Sequence, residues 1–398
     1  AIGNLKKGAL PVDEPGLSAL IEDGITSGNL RFTDKVKDAV IGAQVLWITY
    51  DTPVDDDDKA DVDFVFRQLE STLPLLEENA VVVVSSQMPV GSIAQLEQVC
   101  LRDCSQKHLS FCSSPENLRL GRALETFLHP DRVVLGIRDD EAKDVLCDLF
   151  EGITENFVWM SVESAEMTKH AINAFLGMSI AFTNEFAAVC EQVNADAREV
   201  EIGLKTEQRI GPGAYLAPGS AFSGGTLARD LKFLEEISSR YNLANPIFGS
   251  VLESNNEHKK WVRRRIRSEL GDLKGKTIAV WGLTYKPGTD TLRRSLSVET
   301  CDWLHQEGAQ IIVHDPSECT IPDRWSKQAK RVKTPLAALN DASALVIGTP
   351  WPEYRELSLL DIKKSVTKDF VVFDSDRILD DLSPCSGISY FSVGVGDE

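Results

Sequence analysis

Over residues 1–155 short β-branched runs alternate with amphipathic stretches. Val45–Thr49, Val81–Ser85 and Val133–Gly136 read as buried strands, and Asp63–Leu76 reads as a helix. Such runs separated by helices predict a mostly parallel α/β sheet. Residues 156–268 change rhythm. Ser164–Val193 has no proline, one glycine and apolar residues on nearly every face. A helix apolar all round is buried, in a core or in a subunit interface. A glycine- and proline-rich loop spans Arg209–Gly225, and a second long helical stretch runs over Leu227–Glu269. From Lys274 the α/β rhythm resumes, with strands expected at Thr277–Trp281, Gln310–His314, Ala344–Gly348 and Phe370–Phe373. The expected architecture is α/β, helical, α/β, divided at 1–155, 156–268 and 269–398.

Composition narrows the function classes. A chain of 398 residues, 42% hydrophobic and 26% charged, has material for two or three globular domains. Its formal charge of −19 disfavours nucleic acid and anionic membranes as partners, but leaves room for a small anion in a local basic pocket. No unbroken apolar run approaches the ~18 residues of a membrane span. The first ten residues, AIGNLKKGAL, contain no secretory apolar region. Eight scattered cysteines form no Cys-x-x-Cys pair, which reads as reduced thiols in a cytoplasmic protein, without zinc or a disulfide framework. The six histidines show no metal-ligand spacing.

Three segments could carry chemistry. Gly282-Leu-Thr-Tyr-Lys286-Pro-Gly288-Thr-Asp290 follows a predicted strand. It is either an ordinary turn or a place where backbone N–H groups and Lys286 meet a ligand at the sheet's carboxyl end. Glu166, Lys169 and Asn173 share one helix face. On an apolar helix they form an internal Glu–Lys pair, or Lys169 is desolvated to act as a base or to hold developing negative charge. Ser223-Gly-Gly-Thr226 opens a helix, with Thr226 as an ordinary N-cap or as part of a functional loop, since the preceding segment is longer than a connector needs. Asp55–Asp58 lacks the alternation of a calcium loop and reads as solvated. The basic stretch Lys259–Arg267 reads as a solvated helix end.

In order, several segments resemble the UDP-glucose/GDP-mannose dehydrogenase family. Glu14-Pro-Gly-Leu17 is similar to its EPGL, and Tyr50-Asp-Thr52-Pro53 to the VPTP strand end. Ser114-Pro-Glu116 with Gly121-Arg-Ala-Leu resembles SPE…G-x-AL, and Ala165-Glu-Met-Thr-Lys169-x-x-x-Asn173 resembles AEMxKxxxN. Arg209-Ile-Gly-Pro and Pro218-Gly-x-x-Phe222 resemble the loop before the catalytic residue. Gly282-Leu-x-Tyr-Lys286-x-x-Thr-Asp290-x-x-Arg293 resembles GLxFKxxTDDxR, and Thr349-Pro-Trp351 begins a likeness to the late TEWxEF. The resemblance implies two Rossmann-like parallel-sheet domains joined by a central long-helix domain that forms a homodimer. It implies NAD (NADP left open) in the first domain and a nucleotide-diphosphate sugar against the last. The family's reaction turns a primary alcohol into a carboxylate through two hydride transfers and a thioester on a Cys.

The departures fall on that covalent route. The family's FGGSCxPKD is here Phe222-Ser-Gly224-Gly-Thr226-Leu-Ala-Arg229-Asp230, so Thr226 stands at the nucleophile position and Arg229 at a lysine. A threonine hydroxyl needs a dedicated base that a Cys does not, and Arg cannot exchange a proton. Gln87 stands where a Thr orients water, and Leu120 where the second Glu of SPExxxEG belongs. Retained are Glu116, Lys169, Asn173 and Asp230. The resemblance then implies Lys169 and Asp230 as a proton relay, Asn173 as a donor to the alkoxide, and Glu116 and Thr226 beside them. It assigns Thr52, Pro53, Gln87 and Arg293 to the cofactor, and Arg209, Tyr215, Phe222, Gly224 and Lys286 to the substrate. The expected activity is a nucleotide-sugar oxidoreductase without the thioester step, giving a keto- or aldehydo-sugar or a redox-neutral product. The alternatives are a 6-dehydrogenase giving a uronic acid without a covalent intermediate, and a silent nucleotide-sugar-binding protein.

The comparison also implies a first strand, with its Gly-x-Gly-x-x-Gly turn and helix, ahead of Ala1. About 25–40 preceding residues are expected, and a sheet without that strand is expected to show a gap.

Overall fold

The computed structural model describes residues 2–396 except 7, 9, 11–13, 51, 53–60, 104–106, 117, 119–120 and 384. Two compact units meet in sequence between Ile172 and Asn173, within the helix Val162–Val193.

The first unit is built on a five-stranded sheet: β1 Val45–Ile48, β2 Val81–Val84, β3 Ser110–Ser113, β4 Val133–Gly136 and β5 Phe157–Met160. The strands pair in that order. β1–β2, β2–β3 and β4–β5 are parallel, while β3 and β4 meet antiparallel at Ser113 and Gly136. Val81–Val84 is buried throughout because the sheet is covered on both faces. Val65, Leu69, Leu96 and Ile93 pack on one face, and Leu135, Leu146 and Phe150 on the other. The expected gap is not seen: the described strands pair without interruption, and β1 is an edge. The helix expected at Asp63–Leu76 runs Val62–Thr72 and tightens into a 3₁₀ turn at Leu73–Leu75, where Pro74 supplies no N–H.

The second unit holds a six-stranded sheet: β6 Thr277–Trp281, β7 Gln310–His314, β8 Ala329–Arg331, β9 Ala344–Ile347, β10 Phe370–Phe373 and β11 Ile388–Phe391. Its order is β11-β10-β9-β6-β7-β8, parallel throughout. The helix expected over Leu227–Glu269 is three: Thr226–Arg240, Pro246–His258 and Trp261–Leu270. The breaks have local causes. Asn242 takes a left-handed conformation, and Pro246 starts the next helix from its N1 position.

The 32-residue helix Val162–Val193 matches the expected all-apolar segment. Among the described residues it is also long and apolar enough to cross a membrane, which a count of unbroken runs misses. Its buried Glu166, His170, Asn173 and Asn184 all bond to protein groups, as in a core helix rather than one facing lipid.

Candidate active site

In the first unit the carboxyl ends of β1, β2 and β3 are laced together by side chains. The Thr52 hydroxyl, buried, donates to the Gln87 carbonyl at 2.7 Å. Ser86 Oγ donates to Tyr50 O at 2.7 Å, and Ser85 Oγ to Ser114 O at 2.6 Å. Each short polar side chain thus satisfies a backbone group that the strand ladder has left unpaired.

The long helix faces these loops. His170 Nε2 donates to Met88 O at 3.0 Å. The Glu166 carboxylate accepts N–H bonds from Gly91 (2.7 Å) and Ile93 (3.0 Å), at the start of the helix Ser92–Asp103. Burial pushes its carboxyl above the usual carboxylate range, and the two N–H donors offset only part of that. Lys169 Nζ donates to the Glu116 carbonyl at 2.5 Å. The Glu116 carboxylate is exposed and accepts from Leu118 N–H at 2.5 Å. Gln87, Glu116, Glu166 and Lys169 line one cleft with Ser86 and Pro115. On this face the Glu166 carboxylate bonds to a helix start and Lys169 to a loop carbonyl.

The cleft lies outside the carboxyl ends of parallel strands, where α/β sheets receive ligands. It also presents a cation and hydrogen-bonding groups at one point. No Gly-x-Gly-x-x-Gly occurs among the 398 residues. Pro53, expected at the cofactor, lies outside the described residues, as do Leu120 and Asp55–Asp58. Arg293, also expected there, belongs to the second unit, where it is exposed and its backbone N–H donates to Thr291 Oγ1 at 3.3 Å.

In the second unit Asn173 Nδ2 donates to Asp230 Oδ2, and both side chains are buried. Asp230 lies one turn into the helix that Thr226 begins. Thr226 is not the N-cap. Gly225 holds that position without a side-chain cap bond, and Thr226 is the first helical residue, exposed. The preceding glycine-rich loop is held by side chains from outside it. Asn184 Oδ1 accepts from Gly219 N–H (3.1 Å), and Asp376 accepts both the N–H and the hydroxyl of Ser220 (2.8 Å each). Asn255 bonds both backbone groups of Phe222 at 2.9 Å.

This loop walls a cavity of about 610 Å³. Tyr215, Phe222, Ser223, Thr226 and Tyr285 line it. No cysteine, histidine or lysine is among its described lining residues. Gly224 takes φ +76°, and a Cβ there would lie 2.6 Å from the Tyr285 hydroxyl, so glycine is required twice over. Arg209, expected at the substrate, instead projects into solvent beside Glu207 (3.0 Å) and does not line the cavity. Lys286 is half-buried in the turn after β6 and does not line it either.

That turn differs from the phosphate-binding option left open for it. The N–H groups of Leu283 and Thr284 donate to Asp315 Oδ2 at 2.6 and 3.1 Å. A carboxylate of the protein thus occupies the place an anion would take. Sequence reasoning passed over Asp315, Asn255 and Asp376. Tyr285 carried a visible signal, a hydroxyl where the family pattern has Phe.

Three family domains match in order. They are the UDP-glucose/GDP-mannose dehydrogenase family NAD binding domain over residues 1–154, its central domain over 163–257 and its UDP binding domain over 279–381. The chain is 31% identical to the UDP-glucose 6-dehydrogenase of Rhizobium meliloti over 403 residues, covering 100% of this chain and 92% of that protein. It is 30% identical to the UDP-glucose 6-dehydrogenase TuaD of Bacillus subtilis, covering 99% and 86%. A solved UDP-glucose dehydrogenase from Pyrobaculum islandicum superimposes with a TM-score of 0.86 at 26% identity, covering 100% of this chain and 90% of that one. The chain belongs to the UDP-glucose/GDP-mannose dehydrogenase family, and its first sheet lies in that family's NAD binding domain.

Proposed function

We propose that this protein oxidises a CH–OH group of a UDP-sugar with NAD and does so without a covalent thioester stage. The carrying observation is the second-unit cavity: Thr226, which the family pattern aligns with the nucleophile, lines it, and no thiol is among its described lining residues. A Thr hydroxyl is nucleophilic only beside a base. The carboxylates among the described lining residues, Glu201 and Asp376, are engaged by Lys205 and Ser220.

In this reading NAD, when bound, accepts the hydride that leaves the sugar carbon. The chain's own groups manage the proton and the charge. The resemblance gives Lys169, anchored on the Glu116 carbonyl, and Asp230 as the groups that relay the hydroxyl proton through water. Asn173 has two amide hydrogens. One is committed to Asp230, which orients the other to donate to the developing alkoxide. Lys169 and Asn173 stand one turn apart on a single helix, so one element positions both. The three-part division carries the roles: 1–155 for the cofactor, 156–268 for pairing, 269–398 for the nucleotide. Identity of 30–31% to enzymes named UDP-glucose 6-dehydrogenase supports UDP-glucose as the first candidate substrate. It also supports a second reading, oxidation to the uronic acid through the hydrated aldehyde.

NADH yield and product analysis with UDP-glucose separate these. One NADH per sugar with a keto- or aldehydo-sugar product is expected. Two NADH with a uronic acid establishes the second reading. No NADH despite NAD binding returns the chain to a silent binding protein.

The same long helix supports pairing with a second copy. Phe175, Phe182, Val189 and Val193, 53–66% exposed, repeat at spacings of seven, seven and four along one face. Sedimentation at the mass of a single chain would overturn the homodimer.

A further inference from the structure

The segment Glu14-Pro15-Gly16-Leu17 is a type II β-turn. Leu17 N–H donates to Glu14 O at 3.1 Å, Pro15 holds the second position, and Gly16 takes φ +83° at the third. Glu14, at the first position, is only 7% exposed. Its carboxylate reaches a part of the chain 107 positions away. Oε2 accepts from Gly121 N–H at 2.7 Å, and Oε1 from Ala123 N–H at 2.7 Å and Leu124 N–H at 3.4 Å. Ala123 begins the helix Ala123–Leu128, whose N-cap, Arg122, makes no side-chain cap bond. A carboxylate taken from water must be hydrogen-bonded, and the bonds of Glu14 converge on one spot, the exit of the loop over 114–121.

The entry of that loop is held as well, by the Ser85 hydroxyl donating to Ser114 O at 2.6 Å. Between the two held ends the Glu116 carbonyl receives Lys169 Nζ, in the cleft that Glu116 and Lys169 line. A lysine amine on its flexible four-carbon stem stays in one place only where its acceptor does. An exit free to slide would carry the Glu116 carbonyl, and Lys169 with it. We propose that Glu14 is a positioning residue for the oxidation: its carboxylate clamps the exit of this loop, so that the Glu116 carbonyl holds the Lys169 amine at the cleft. The inference rests on the reading of Lys169 as a proton relay given above. Glu14 touches no reacting atom in it and acts only through the loop.

Glu14→Gln keeps the shape and one acceptor oxygen, and sets an NH2 group against one of the N–H donors. It should lower kcat with UDP-glucose about tenfold and leave NAD affinity within about twofold of wild type. In a Lys169→Ala background the same change should lower kcat no further, because the group it positions is gone. Trace acetylation read by mass spectrometry should modify Lys169 about fivefold faster in Glu14→Gln, relative to the other lysines, once its acceptor is loosened. A kcat loss of the same size with and without Lys169 would overturn the proposal and leave Glu14 as a brace of the fold. Unchanged acetylation of Lys169 would overturn it too, as would an unchanged kcat. A wild type that forms no NADH with UDP-glucose would overturn the relay reading and with it the role in turnover. Acetylation of Lys169 in Glu14→Gln would still decide whether the clamp holds the amine.

Discussion

The two parallel sheets finish differently at their carboxyl ends. In the first, side chains tie the strand-end loops to one another: Thr52 to Gln87, Ser85 to Ser114, Ser86 to Tyr50. Those bonds leave Gln87, Glu116 and Lys169 lining an open cleft. In the second, the turn after β6 is closed by its own neighbours. Asp315 takes the N–H groups of Leu283 and Thr284, and the hydroxyls of Ser295, Ser297 and Thr349 donate to the carbonyls of Leu283, Gly282 and Thr284. The same topology thus gives an accessible edge in one place and a self-satisfied one in the other. The carboxyl end of a parallel sheet is a favourable location for a ligand. Whether it becomes a site depends on which side chains have already claimed the backbone groups there.

The largest effect should come from removing the amine in the open cleft. Lys169→Ala is expected to lower kcat with UDP-glucose by about 10²–10⁴-fold while leaving NAD binding and the unfolding profile near wild type. Lys169 is only half-buried, so the fold should tolerate the loss. Turnover within threefold of wild type would move the chemistry away from this cleft and erase the contrast between the two edges.

The closed edge should respond in stability. Asp315 is buried and accepts three backbone N–H bonds, from Leu283 (2.6 Å), Thr284 (3.1 Å) and Ser317 (2.8 Å). Asp315→Ala strands these donors, at a cost of about 3 kcal/mol, read as a lower Tm for the second unit in calorimetry. Asp315→Asn, which keeps one acceptor oxygen, should fall between the two. An unchanged Tm in Asp315→Ala would mean that this edge is open after all, and that the turn can receive an anion.

The contrast between the edges was only half legible in the sequence. Strands such as Val81–Val84 and Thr277–Trp281 declare themselves through continuous β-branched runs. Ser110–Ser113 does not: its small polar residues are buried because β2 and β4 flank it, which is a tertiary fact. Ala329–Arg331 escapes for the opposite reason, as a three-residue edge strand with two basic residues. The overlong helix at Leu227–Glu269 was avoidable, since Asn242 and Asn245-Pro246 are breakers in plain view. Lys169, Asn173 and Asp230 stand out in the sequence through the family's motif spacing. Asp315 and Asn255 do not, because the backbone groups they satisfy lie 32 and 33 positions away, where no local pattern reaches. Of the two options for Thr226, the cap fails although Thr caps well, because Gly225 takes that position and Thr226 lines the cavity.

The smallest expected effect concerns Glu166, behind the open cleft, and its dependence on pH. Burial raises its carboxyl most. The Gly91 and Ile93 N–H groups lower it, and the charges of Glu163 and Arg138 oppose each other as smaller contributions. A carboxyl raised in the folded state binds its proton more readily there than in the unfolded chain. Its favourable contribution is therefore complete below the ordinary Glu value of about 4.3, and is lost as pH rises through the raised folded value. Glu166→Gln, which imitates the protonated form, has no such loss. Urea unfolding of both proteins across that window should show wild type losing ground to Glu166→Gln as pH rises. The opposite slope would mean that the two N–H donors outweigh burial. Glu166 would then behave as Asp315 does, a carboxylate whose charge is wanted, and the two edges would be held by the same device.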